Sequence, residues 1–512
     1  MFLIQKCEQF FKKNKLFSLF FVGMTVYYAY NMFAIKPWYD ELYTYYSFIS
    51  RGPIYSAIHW PVPNNHVFYS VLSAFLDYLG NPYIGLRGIS FLAACANLVL
   101  LYKFAGKFMN GYLAAGTTFL YAAVWQVNNL SVQGRGYTLS ITFYLLALLC
   151  LEKICREQAS KWDYAVYACS LTGGLYALIS STFWVIPVCL TGGVVLLFLK
   201  RYKTLWKLIA ASLIAAAMTL FLYTLIWLAI GSNLMSKDPA NAYYGVYQVT
   251  IILKTPFEAL RTGMEYMLAT PYIQGDARSY IIAELFGYLT ALFNLFYSNM
   301  GAVLTVFCGV TGVCALVSAV RNYKKDYLKW FCGIYLFVTV IMVPVMLIVQ
   351  SVQPYHRVFT FLGVPVAMLV TWTLGQIGKL VSKKEMYHRV AFGVLLGFVL
   401  ITLSGENYNS QYAHRETEIA QILSEDADDV ETICYIDDYQ KYVFKFYYDK
   451  EPVEVPMTEA QYVLLPKEVY EESYEVPVWP TMYNHESIDF RYLQQAFDKI
   501  KGSDSYELYK RK

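Results

Sequence analysis

The sequence predicts an all-α polytopic membrane protein with a small C-terminal α/β domain, on the strength of three observations. Apolar runs of about 18–20 residues, the length that crosses a bilayer as a helix, recur up to residue 404. Hydrophobic side chains make up 57% of the 512 residues and charged ones only 15%, against roughly 25% charged in soluble domains. Near residue 405 the composition changes sharply, and the tail carries 23 Asp/Glu against 11 Lys/Arg. This division gives a transmembrane domain over 1–404 and a separate domain over 405–512. An ordinary soluble enzyme is excluded, and no nucleic-acid partner is expected.

The first helix follows Lys6, Lys12, Lys13 and Lys15 and covers the apolar run Leu16 to Ile35. No small-residue cleavage site follows it, so it reads as an uncleaved span with its basic end in the cytoplasm. The stretch His66 to Leu79 is apolar but short for a span, which predicts an interfacial helix. Further spans are predicted over 83–102, 111–128, 138–151, 163–181, 184–199, 208–230, 297–320, 330–350, 358–377 and 390–404, about eleven in all with the first. The basic clusters then fall on one side: Lys103/Lys107, Lys153/Arg156/Lys161, Lys200/Arg201/Lys203/Lys207, Arg321/Lys324/Lys325/Lys329 and Lys379/Lys383/Lys384/Arg389. The short loops on the opposite side hold only Lys36, Arg51, Arg87, Arg135 and Arg357. A crossing at 66–79 would invert every later loop and break the positive-inside rule.

The outer segments are therefore 36–82, 231–296 and the tail. The second holds Glu258, Glu265 and Glu284 among short apolar pieces and reads as interfacial helices. The tail has strand-like pieces at Glu431 to Ile436, Tyr442 to Tyr447 and Tyr462 to Leu465, and a helical stretch near Phe490 to Ile500. With an odd number of spans it lies outside the membrane. Nine of the ten cysteines precede residue 333 and show no zinc spacing, so they read as apolar packing.

Chemistry-bearing residues gather on the outer face. Asp40 and Glu41 follow the first span, with His66 and many aromatics soon after. Ionisable groups near a bilayer usually mark a polar cavity or substrate path, although an interfacial loop with an aromatic belt has the same composition. Arg87 opens the second span, and reads either as a snorkelling residue or as a substrate contact. Gln133-Gly134-Arg135-Gly136-Tyr137 precedes the fourth span, with glycines that admit close backbone approach to a phosphate. His356 and Arg357 precede the tenth, His356 as an interfacial polar residue or a ligand. Asp77 reads as a solvated face. The first-loop tyrosines, Tyr43 among them, stack on a sugar or anchor the interface.

The loop WYDELY, the following NNH-x-x-Y at the start of a short helix and the R-G-Y-x-L element opening a later span together resemble the GT-C superfamily of integral-membrane glycosyltransferases. The branch they resemble is that of the protein O-mannosyltransferases and lipid A aminoarabinose transferases. The resemblance implies transfer of a sugar from a polyprenyl-phosphate donor to an acceptor hydroxyl on the outer face, with inversion at the anomeric carbon. It implies Asp40 as the general base, with Glu41 positioning the acceptor or supporting a divalent cation (Mg or Mn). Arg135, Arg357 and Tyr137 are the candidates for the donor phosphate, and Asn65, His66 and Tyr43 for the substrate. The implied partners are the donor, membrane lipid, and a glycan, lipid or protein acceptor. Asn65-His66-Val67-Phe68 lacks the prolines that relatives have after this histidine. No aspartate stands where the lipid A branch carries one before the fourth span. A lipid or polysaccharide transporter with an outer domain is the alternative, and a polysaccharide polymerase or ligase would share the chemistry with another donor.

Overall fold

The computed structural model describes residues 2–58, 65–230, 278–351, 353–378, 384–405, 413–434, 438–467 and 489–512. By contacts the chain forms two compact units, Met1–Met32 with Phe48–Glu406 and Phe33–Ser47 with Asn407–Lys512.

The first unit is helical: α1 (Phe2–Lys13), α2 (Lys15–Ala34), α4 (Pro53–Ile58), α5 (Val67–Asp77), α6 (Pro82–Ala105), α7 (Gly111–Ala123), α8 (Trp125–Leu130), α9 (Tyr137–Cys155), α10 (Lys161–Ala177), α11 (Thr182–Phe198), α12 (Tyr202–Ile230), α13 (Arg278–Asn294), α14 (Gly301–Asn322), α15 (Tyr327–Gln350), α16 (Gly363–Gly378) and α17 (Lys384–Gly405), with α3 (Tyr39–Ser47) belonging to the second unit. Among the described residues nine helical stretches are long and apolar enough to cross a membrane. The chain is a multi-pass membrane protein. The spans expected at 111–128 and 163–181 are also helical, but α7 has 13 residues and α10 has 17. The short helix expected at 66–79 is α5. Of the interfacial helices expected at 231–296, residues 231–277 with Glu258 and Glu265 lie outside the described residues, and Glu284 is on α13.

Lipid-facing surface is legible on α14, where Val303, Val306, Val310, Val313, Val317 and Val320 form one exposed stripe. That spacing of three and four keeps a single helix face apolar where a water-soluble helix would be polar. The opposite case is the segment from Leu113 to Ile141, in which every residue is buried. Small side chains allow this: a Cβ on Gly116 would come 2.8 Å from Leu395 Cδ1. At 13 residues α7 is about 20 Å long, short of the roughly 30 Å hydrocarbon core. It stops at Val124, whose ψ of 115° leaves the helical region. The chain restarts as α8, with Trp125 and Gln126 N–H donating to the Phe296 and Leu295 carbonyls (2.9 and 3.0 Å). The Tyr297 hydroxyl caps the Leu120 carbonyl at 2.8 Å. Irregular backbone of this kind survives in a membrane protein only where protein surrounds it and supplies its hydrogen bonds.

The second unit holds α3, α18 (His414–Ile422), α19 (Asp438–Tyr448), α20 (Phe490–Ala496) and a sheet of β1 (Thr432–Cys434), β2 (Val453–Glu454), β3 (Tyr462–Pro466), β4 (Phe497–Gly502) and β5 (Tyr506–Arg511). The strand order is β2-β1-β3-β5-β4, with β1 parallel to β2 and β3 and the other pairs antiparallel. Ile419, Leu423, Val443, Phe444, Leu464 and Leu508 form its larger core.

Two expectations for the tail are corrected. Tyr442 to Tyr447 is helix, not strand. Tyr439, Val443 and Tyr447 recur every four residues against the core while Lys441 is exposed, a helical period that outweighs the β-propensity of Tyr, Val and Phe. The closing helix stops at Ala496, because Phe497–Gly502 pairs with β5 as a strand.

Candidate functional site

In the membrane unit the site is built on the turn between α8 and α9. The buried turn keeps its hydrogen bonds internal: Ser90 Oγ donates to the Gln133 carbonyl at 2.5 Å, and Thr138 Oγ1 to the Leu130 carbonyl at 2.6 Å. A Cβ on Gly134 would lie 2.3 Å from Leu86 Cδ1, and one on Gly136 would lie 2.7 Å from the Ala177 carbonyl and 3.2 Å from His66. Glycine on both sides of Arg135 is thus a packing requirement.

His66, at the N-terminus of α5, is buried against this turn. The Gly136 N–H donates to its Nδ1 at 2.8 Å, and Tyr137 packs edge-on with ring centroids 5.2 Å apart. Burial holds the His66 pKa well below the ordinary histidine range, and the charges of Arg135 and Arg357 push it the same way. The ring is therefore neutral, and because Nδ1 accepts, its one proton is on Nε2. Arg135 Nη2 lies 3.3 Å from that Nε2. Two donors face one another at hydrogen-bond distance, a set that suits a negatively charged oxygen. Arg357, in the 3₁₀ turn His356–Leu362, lies over the Tyr355 ring (4.8 Å to the centroid) and adds a second guanidinium charge to the His66 environment. The structure thus brings His66, Arg135, Arg357 and Tyr137 together.

Other candidates serve the frame. Asn65 Nδ2 donates to the Ser56 carbonyl (2.9 Å) and its Oδ1 accepts from Ser70 (2.8 Å). Arg87, fully buried, donates to the Met32 carbonyl at 2.9 Å and closes the end of α2. His356 packs on Tyr288 with centroids 4.6 Å apart. Gln126, Asn128 and Asn129 on α8, all buried, were not singled out, although amides in and directly after the apolar span predicted at 111–128 were a visible signal.

Asp40 and Glu41 open α3 in the second unit, and the two acids differ. Glu41 is buried and its Oε2 accepts from the Trp38 N–H at 3.3 Å, the reach-back bond of a helix capping box. Asp40 is half-buried, and Thr44 Oγ1 donates to its carbonyl at 2.7 Å. Among the described residues no group of three or more His, Cys, Asp or Glu side chains is placed to hold a metal.

Tyrosines hold α3 in its unit. Tyr442 on α19 stacks on Tyr46 (5.7 Å, 3° between planes) and touches Tyr39 and Tyr43 (5.8 and 6.4 Å), while Tyr39 also meets Tyr439 at 4.6 Å. Tyr43 is therefore part of a packed aromatic cluster. Glu416 on α18 is buried beside the start of α3. Burial raises its carboxyl to about 8, against the pull of its own and the Tyr39 backbone N–H and of Arg415, with Asp40 adding to the rise. Glu416 had no sequence signal beyond the general acidity of the tail.

No protein-family model matches the chain, and no curated protein matches it. Solved structures resemble it at low identity. The Archaeoglobus fulgidus oligosaccharyltransferase in complex with Zn and sulfate is 14% identical with a TM-score of 0.42, over 78% of this chain and 58% of that one. The archaeal oligosaccharyltransferase AglB from the same organism, bound to an inhibitory peptide and a dolichol-phosphate, is 13% identical with a TM-score of 0.44, over 90% and 70% of the two chains. The A. fulgidus enzyme tethered to an acceptor peptide gives 11% and 0.38, over 78% and 61%. The chain spans less than two thirds of the length of the first of these.

Proposed function

We propose that the chain is a membrane glycosyltransferase of the GT-C type that moves a sugar from a polyprenyl-phosphate donor to an acceptor hydroxyl. The observation that supports this best is the pair of opposed donors, His66 Nε2–H and Arg135 Nη2, beside a second guanidinium. Such a set suits an anionic oxygen, and guanidinium matches phosphate through its fork of donors. In the transfer the acceptor oxygen bonds to the anomeric carbon, whose bond to the phosphate oxygen breaks with inversion. The electron pair goes to the phosphate, where Arg135 and Arg357 stabilise the growing charge. Asp40 takes the acceptor proton, a task worth about 10²–10⁴-fold in rate. Glu41 shapes the start of α3, where its Oε2 accepts from the Trp38 N–H, and positions the acceptor or supports a divalent cation.

The distribution of basic loops supports an N-terminus in the cytoplasm and a tail outside. The test is transfer of labelled sugar from a polyprenyl-phosphate donor by purified protein, with Arg135→Ala and Arg357→Ala alongside. Each replacement lowers turnover by at least an order of magnitude, as for loss of one preorganised charge donor. Full activity in both variants overturns the assignment of the phosphate to this site.

A further inference from the structure

We infer that the buried amides of α8, Gln126 and Asn129, with Gln133 in the turn that follows, form the subsite for the sugar ring of the donor, and that this sugar is neutral. The inference rests on the proposed phosphate site at Arg135 and adds the class of group attached to that phosphate.

Gln126 is fully buried, and neither its Nε2 nor its Oε1 has a hydrogen-bond partner among the described residues. Gln133 Nε2 donates to Asn129 Oδ1 at 2.8 Å, which leaves Asn129 Nδ2 and Gln133 Oε1 without partners there. Positions 126 and 129 are one helical turn apart and share a face of α8, with 133 four further on and two before Arg135. A buried polar atom with no partner costs about 1–3 kcal/mol, so four in one short stretch, both ends of Gln126 with Asn129 Nδ2 and Gln133 Oε1, are not explained by packing.

Unmet donors and unmet acceptors stand side by side here. A phosphate oxygen uses donors only, whereas each sugar hydroxyl gives one hydrogen bond and takes others. A mixed amide set therefore suits a ring of hydroxyls. The charge around it decides the class further. No Asp or Glu occurs between Asp77 and Glu152, while Arg135 lies within the same stretch. A cationic amino sugar would find no counter-charge on this segment and a like charge at Arg135. A neutral hexose meets neither difficulty.

The experiment measures binding of three probes to the full chain in lipid nanodiscs: a polyprenyl phosphate, the same lipid phosphate carrying glucose, and that carrying glucosamine. Gln126→Met removes the amide at nearly constant volume, and Gln126→Ala removes it while leaving space. Both variants weaken the glucose-bearing lipid by about 3–10-fold, the loss of one or two net hydrogen bonds, and leave the sugar-free lipid within twofold. Melting temperature checks the fold, and Gln126→Met melts no lower than wild type because an unpaired buried amide has gone. The proposal is overturned if both lipids lose affinity equally or if neither does. Glucosamine held as tightly as glucose overturns the neutral-sugar assignment alone. A wild-type protein that binds none of the three removes the phosphate reading, an outcome distinct from one that binds all three alike.

Discussion

Replacing Glu416 with Gln should abolish a pH dependence in the stability of the second unit. Glu416 is 1% exposed, and its carboxyl titrates near 8 rather than near the ordinary 4.5. Between those values the folded state holds a proton that the unfolded state has released, so stability falls as pH rises across this window. The contribution is fully present below about 4.5 and is lost as pH passes 8. The slope is about 1.4 kcal/mol per pH unit, close to tenfold per unit, and accumulates to roughly 4–5 kcal/mol at most. Gln mimics the protonated form and removes the titration. Hydrogen exchange of the full chain in detergent reads this directly, on the amides of α18 and of α3, whose Tyr39 N–H and Asp40 carboxyl act on Glu416. After correction for intrinsic rates, wild-type protection there should fall as pH rises from about 5 to 8 while that of Glu416→Gln stays level, and the two should converge only towards pH 4.5. Parallel pH profiles in the two proteins would refute the buried, protonated Glu416.

Asp40→Asn should lower transfer by about 10²–10⁴-fold with donor binding intact, whereas Glu41→Gln, which still accepts from the Trp38 N–H, should keep near-normal rates; an active Asp40→Asn enzyme would remove the base. Tyr442→Ala strips three ring contacts from α3 and should raise exchange of residues 39–47 by the equivalent of about 2–4 kcal/mol, while Tyr442→Phe stays close to wild type. A single cysteine in the tail of a Cys-free variant should react with an impermeant thiol reagent in intact cells and one near residue 203 only after permeabilisation, with the reverse pattern contradicting the topology.

Hydropathy and length made the membrane helices and the short α5 legible, because lipid exposure writes a long apolar stretch into local sequence. The break at Val124 was not legible. Its cause is a pair of carbonyls at Leu295 and Phe296, some 170 residues away in sequence, that take the first amides of α8. The helix Asp438–Tyr448 was misread because its Tyr, Val and Phe favour strand locally, and only the core at Ile419 and Leu464 selects the helical face. At the site, residue types pointed to Arg135, Arg357 and His66, since charged groups in an apolar chain are conspicuous. The bond from the Trp38 N–H back to Glu41 was hidden, because neighbouring acids look alike until one of them caps a helix. The amides of α8 were visible but uncharged, and an uncharged residue inside an apolar run draws little notice.

The protonation state of His66 gives the phosphate assignment a sharper test. If His66 were a third cation, donor binding would strengthen as pH falls through the ordinary histidine range near 6.5. Burial and the two arginines hold it neutral well below that range, and the Gly136 N–H fixes its proton on Nε2. The ring then offers the same single donor across neutral pH. A polyprenyl-phosphate sugar is a phosphodiester with no ionisation in this range, so it contributes no titration of its own. Its affinity for the full chain should change by less than about threefold between pH 6 and 8 and should fall in His66→Ala by about 10–100-fold, as for one charge-assisted hydrogen bond. Tenfold tighter binding at pH 6 than at pH 8 in the wild type, absent from His66→Ala, would show that the ring becomes charged on the ligand and would overturn the neutral tautomer on which the donor geometry depends.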